Sequence, residues 1–132
     1  MIFEFLISKR PVSLQTKNRT NLQAWKNFVY AEAAKTWTGT LNTTKDTHIT
    51  LVYLCDEDPV DADNIIKPIQ DALVGLIYAD DLLVTDVECH RRPLKGATDI
   101  TQWPALLIKA IALGDECVYV RISKAKPLEN YL

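Results

Sequence analysis

The pattern of apolar and polar residues predicts an α/β (α+β) domain built on a single mixed β-sheet with helices packed on it. Three observations carry this reading. Strand-like and helix-like segments alternate as β-α-β-α-β-α-β, which favours one sheet with helical connections. The 132 residues suffice for one domain with its own core and leave little room for two. Apolar residues make up 48% and charged residues 24%, ordinary globular usage, so disorder and fibrous repeats are excluded.

Each element follows from its residues. Residues 2–8 are bulky and apolar and read as a first strand, ending at the turn-like Lys9-Arg10-Pro11. Residues 9–20 read as polar loop. Asn21 is placed to cap a helix on which Leu22, Trp25, Val29, Ala33 and Trp37 recur at helical spacing, with Gly39 at its end. Thr47 to Cys55 is rich in β-branched and aromatic residues, a second strand. The next helix carries Ile65, Ile69, Ala72, Leu73 and Leu76 on one face. Because proline costs about 3 kcal/mol deep inside a helix, Pro68 predicts a start close to Asn64. Leu82 to Arg92 reads as a strand, Pro104 to Leu113 as a short helix closed by Gly114, and Cys117 to Ser123 as the last strand. Residues 1–123 are thus expected to form one domain and 124–132 a loosely ordered tail.

Composition narrows the function classes. Lys and Arg total 15 and Asp and Glu 17, a net charge of -2, so the chain is not a nucleic-acid binder that is basic throughout. Cys55, Cys89 and Cys117 are scattered and odd in number, which argues against a disulfide framework or zinc ribbon and for three small buried hydrophobes. The apolar start is too short, and carries Glu4 too early, for a signal peptide. No apolar stretch approaches the roughly 20 residues of a membrane span. A cytoplasmic protein with no membrane partner is expected.

The chemistry concentrates after the second strand, where five acids fall within the eight residues from Asp56 to Asp63. On extended backbone, Asp61 and Asp63 project to the same side with about 6.6 Å between Cα atoms. Carboxylates this close repel unless a cation or shared proton intervenes. Asp80-Asp81 lie at the other end of the same helix–loop unit and offer a third carboxylate. Oxygen donors without nearby His or Cys suit a hard cation such as Mg2+ or Mn2+, which can clamp a phosphodiester and activate water. Lys67, one helical turn after Asp63, can stabilise charge on a phosphoryl group or leaving oxygen. On spacing alone a plainer reading stands beside this one. Asp63 caps the helix, Lys67 pairs with Asp63 or Asp71, and Asp80-Asp81 form a polar turn.

The longer string Asp61-Ala62-Asp63-Asn64-Ile65-Ile66-Lys67-Pro68, followed by Asp71-Ala72-Leu73, Gly75, Tyr78, Asp80-Asp81 and Val84, closely resembles the RusA family of Holliday junction resolvases. The resemblance is firm over residues 61–92 and extends weakly to Pro11-Val12-Ser13 and Val118-Tyr119-Val120. It implies a RusA-like fold and a homodimeric, Mg2+-dependent endonuclease, with Mn2+ as a substitute ion. Such an enzyme resolves branched, four-way DNA by paired nicks in recombination and repair, leaving 5′-phosphate and 3′-hydroxyl ends. By position, Asp61, Asp63 and Asp81 match the family's metal-binding aspartates and Lys67 its catalytic lysine. Asp80 and Asn64 then stand as supporting residues beside them.

Two clusters of cations flank the acids, Lys9, Arg10, Lys17 and Arg19 in one loop and Arg91, Arg92 and Lys95 in another. Neutralising phosphates with such side chains holds DNA without reading its sequence. His48 and His90 have no partner at useful spacing and read as structural. Trp25 and Trp37 read as core, with Trp103 open. The helix at 104–113 is apolar nearly all round, and core burial and dimer contact are equally good readings of it. Two other functions compete with the nuclease: a DNA-binding or assembly protein on this fold without cleavage, and a small phosphohydrolase acting on nucleotides.

Overall fold

A computed structural model describes residues 2–96 and 99–132. Seven main elements follow in the order expected: β1 (Ile2–Ile7), α1 (Arg19–Ala34), β2 (Thr47–Cys55), α2 (Ala62–Ala72), β3 (Val84–Pro93), α3 (Ala105–Leu113) and β4 (Cys117–Lys124). The strands form one sheet in the order β1-β4-β2-β3. β4 runs antiparallel to both β1 and β2, while β2 and β3 are parallel, so the sheet is mixed. The parallel pair is joined by α2, the helical crossover that such pairing requires.

β2 is buried on both faces, and its alternating side chains show two cores. Ile49, Leu51 and Tyr53 join Leu22, Trp25 and Val29 of α1 and Ile65 and Ile69 of α2. Leu54 points the other way and packs with Leu107 and Ala110 of α3 and Tyr119 of β4. Two helices therefore cover one face and α3 covers part of the other.

Several element ends differ from the sequence reading, and three of the differences have a local reason. α1 begins at Arg19, capped by the Asn18 side chain, which accepts the Asn21 N–H at 3.0 Å. The apolar stripe starts only at Leu22, so its periodicity is blind to the first turn. The helix also stops at Ala34; Trp37 keeps the helical spacing but packs edge-on against Phe3, with ring centroids 4.9 Å apart. β3 starts at Val84, because Asp81–Leu83 forms a 3-10 turn.

The largest correction concerns Pro68. α2 begins at Ala62, so Asp63 lies inside its first turn and Pro68 in its interior. A proline there has no N–H to offer the carbonyl four residues back, which is that of Asn64. That carbonyl instead accepts the Leu14 N–H from the loop after β1, at 2.9 Å. The distant loop satisfies the acceptor that proline orphans. At the C-terminus, β4 runs to Lys124, Leu128–Asn130 makes a 3-10 turn, and the Tyr131 hydroxyl meets His48 Nδ1 at 3.0 Å.

Candidate active site

The β2–α2–β3 crossover carries the acids. β2 ends at Cys55, and the chain turns through Asp56–Val60 to Asp61, the N-cap position of α2. Asp61 makes no side-chain capping bond, so its exposed carboxylate remains available. Asp63 follows in the first helical turn, also exposed, where the positive end of the helix favours a carboxylate.

Burial of Ile65, Pro68, Ile69 and Ala72 turns Asp63, Lys67 and Asp71 outward along one face, since residues four apart stack on a helix. The Lys67 ammonium lies between two carboxylates. It pairs with Asp71 Oδ1 at 2.9 Å and hydrogen-bonds to Asp81 Oδ2. Asp71 is also approached by Lys26 of α1, at 3.7 Å. A row of alternating charge results: Lys26, Asp71, Lys67, Asp81. The bonds from Asp81 and Asp71 hold the Lys67 ammonium above its ordinary pKa, and the same bond from Lys67 holds the Asp81 carboxyl below its own. Lys67 is a persistent cation at neutral pH.

Asp81 is presented by the 3-10 turn, which Asp80 caps by accepting the Leu82 N–H at 2.9 Å. Asp80 thus fixes the turn that carries Asp81. Asn64 acts through its backbone, donating to the Asp61 carbonyl at 3.0 Å while its own carbonyl holds Leu14. From β3, the Cys89 thiol meets the Ala62 carbonyl at 3.8 Å, and Arg91 reaches Asp61 at 3.8 Å.

The cations of the two loops divide. Arg91 faces the acids, whereas Arg92, the next residue on the strand, points to the other side of the sheet and bonds the Arg91 carbonyl. Arg10 pairs with Glu116 at 3.3 Å and donates to the Asp58 carbonyl at 2.6 Å. Arg19 donates to the Leu14 carbonyl, and the Lys9 ammonium sits over the Phe28 ring. Lys17 and Lys95 are exposed. Sequence spacing missed two groups outright. Lys26 joins the acid site from another helix. His48 and His90 converge on the two oxygens of Glu88, each at 3.4 Å, across the β2–β3 pair.

The donor set of Asp61, Asp63 and Asp81 has the oxygen chemistry of a hard cation. Among the described residues, however, no three His, Cys, Asp or Glu side chains are gathered closely enough to hold an ion. Asp81 is paired with Lys67 and Asp61 with Arg91 instead.

The crossover thus sets an acid-rich helix start beside a lysine clamped between two carboxylates, on a small mixed sheet. The family model described as endodeoxyribonuclease RusA matches residues 8–101, a span that includes every acid and lysine of this site. The chain belongs to the RusA endodeoxyribonuclease family. No curated protein matches it. No helix among the described residues is long and apolar enough to cross a membrane.

Proposed function

We propose that the chain is a homodimeric, divalent-metal-dependent nuclease that resolves four-way DNA junctions by paired nicks, in DNA recombination and repair in the cytoplasm. The observation that carries this reading is the Lys67 ammonium lodged between Asp71 and Asp81, one helical turn from Asp63 and on the same crossover as the exposed Asp61. Asp61, Asp63 and Asp81 are the residues that would hold Mg2+, or Mn2+ in its place. The ion, when bound, supplies neutralisation of phosphate charge and a lowered pKa for water.

Lys67 does the work of a fixed cation. Its raised pKa keeps it protonated, so it cannot serve as a general base. It can face charge growing on a phosphoryl oxygen or give a proton to the departing one. Asp71 and Lys26 orient it from behind. Of the two cationic loops, Lys9, Lys17, Arg19, Arg91, Arg92 and Lys95 are exposed, and they supply contact to phosphate backbone.

Two nicks at symmetry-related strands need two such sites, and each chain carries one. A two-fold dimer supplies both at fixed separation. Sedimentation equilibrium at micromolar concentration should give twice the 14.9 kDa of the chain. A clean monomer, with and without junction DNA, overturns the paired-nick reading. The direct test is cleavage of a labelled four-way junction, a duplex and a nucleotide, each with and without Mg2+. Junction cutting that requires Mg2+ and disappears in Asp61→Asn supports the proposal.

One observation favours a second reading, a DNA-binding or assembly protein without cleavage: Asp81 and Asp61 are each partnered by the chain's own cations. Tight junction binding with no cutting at any Mg2+ or Mn2+ concentration would select it.

A further inference from the structure

Three side chains that the sequence keeps far apart meet under the acid loop. Tyr53 lies in the central strand and is fully buried. Its hydroxyl donates to Glu116 Oε2, whose side chain is only 13% exposed, and accepts the Val60 N–H at 3.4 Å. Arg10 closes the group from the loop after β1. One guanidinium nitrogen pairs with the same carboxylate at 3.3 Å, and the other donates to the Asp58 carbonyl at 2.6 Å.

Both outward bonds land on the backbone leading into Asp61. That backbone needs holding, because Asp58 has φ of 51°, a left-handed conformation uncommon for a residue with a side chain. Asp61 makes no capping bond, so its helix end does not fix its carboxylate. Burial, and then the bond to Glu116, push the Tyr53 phenol above its ordinary pKa, so it keeps the proton it donates. Any buried tyrosine hydroxyl needs a partner, and Glu116 is that partner. What satisfaction alone does not require are the two ties to the loop, from the Val60 N–H to the hydroxyl and from Arg10 to the Asp58 carbonyl. We infer that Tyr53, Glu116 and Arg10 form a brace of positioning residues that sets the path of residues 58–60 and so aims the Asp61 carboxylate. The inference rests on the nuclease reading above, and it takes Arg10 out of the DNA-contacting set.

Tyr53→Phe keeps the buried ring and removes the hydroxyl. Single-turnover cleavage of a four-way junction in Mg2+ should fall about 10- to 100-fold, the effect of a displaced reacting group. Junction affinity measured without metal should stay within about twofold, which separates lost positioning from lost binding. Glu116→Gln retains an acceptor for the hydroxyl and should recover most of the rate that Glu116→Ala loses. A structural role alone would lower the melting temperature in these variants without slowing the folded protein. If wild type cuts junctions and Tyr53→Phe or Glu116→Ala cuts as fast, the brace is overturned and the nuclease reading stands. If wild type cuts nothing, the nuclease reading falls and takes the brace with it.

Discussion

Helices α2 and α3 are similar in length, at 11 and 9 residues, and lie on opposite faces of one sheet, yet they contribute differently. α2 buries Ile65, Pro68, Ile69 and Ala72 and turns Asp63, Lys67 and Asp71 outward. It packs against both α1 and β3, so its polar face is held from two sides. α3 buries Leu107 and Ala110, has a single charge at Lys109, and leaves Leu113 55% exposed. It packs against β1 and β4 and meets Leu54 of β2. A helix can place charged groups to within a hydrogen-bond length only when its apolar side is anchored. An all-apolar helix covers a core and leaves surface for a partner, but it places no chemistry.

The largest test of that contrast is on α2 and its neighbouring turn. Asp81→Asn and Asp61→Asn should each bring Mg2+-dependent junction cleavage below detection while circular dichroism and cooperative melting persist. Lys67→Ala should slow single-turnover cleavage about 10²–10³-fold, the cost of losing one preorganised charge beside a reacting group. Its effect on junction affinity should be far smaller, which a metal-free binding titration measures. Were Lys67 only a helix-surface ion pair, its loss would change stability by a few tenths of a kcal/mol and leave turnover untouched.

The converse experiment is on α3. Leu107→Ala should destabilise the fold by about 2–4 kcal/mol through lost burial and the cavity left behind. The rate of the folded fraction should not change, because Asp61, Asp63, Lys67 and Asp81 lie outside the core that Leu107 joins. Denaturant unfolding gives the first quantity and single-turnover cleavage at low temperature the second. A Leu107→Ala protein that is stable but catalytically slow would mean the two faces are coupled through the sheet.

The division between helices was largely legible in sequence, since β-branched runs and helical stripes specify which face is buried. The element order and the mixed sheet follow from that alone. Helix starts did not, because a first turn such as Arg19–Asn21 carries no apolar residue to extend the stripe. Pro68 misled for a different reason. The rule against interior proline assumes an orphaned carbonyl, and here Leu14 answers it from a loop no local window can include. The site divides in the same way. Asp61, Asp63, Lys67 and Asp81 stand in a recognisable string, and Asp71 is one turn from Lys67. Lys26 and the Tyr53–Glu116–Arg10 group are set by tertiary contact, and spacing holds no trace of them. Arg10 in a cationic loop looks like a phosphate contact until Glu116 arrives from the far end of the chain.

The smallest expected effect concerns the stability that the α2 face gains from its own charges, and pH reveals its sign. Lys67 holds the Asp81 carboxyl below its ordinary pKa, so this pair stabilises the fold fully above the unfolded value near 4. The contribution is lost as pH falls through the lower folded value. Lys67, raised above its ordinary value near 10.4, contributes below that pH and loses its contribution as pH rises through the folded value. Both groups are solvent-exposed, so the effect is small and screened by salt. The melting temperature of wild type should therefore exceed that of Asp81→Asn by a little at neutral pH, with the gap closing as pH drops below about 4. The alkaline limb should be fainter, because Asp71 still holds the ammonium when Asp81 is gone. A gap that stays constant from pH 3 to pH 8 would mean that Asp81 supports the turn by shape alone, and that Lys67 is held in place by Asp71.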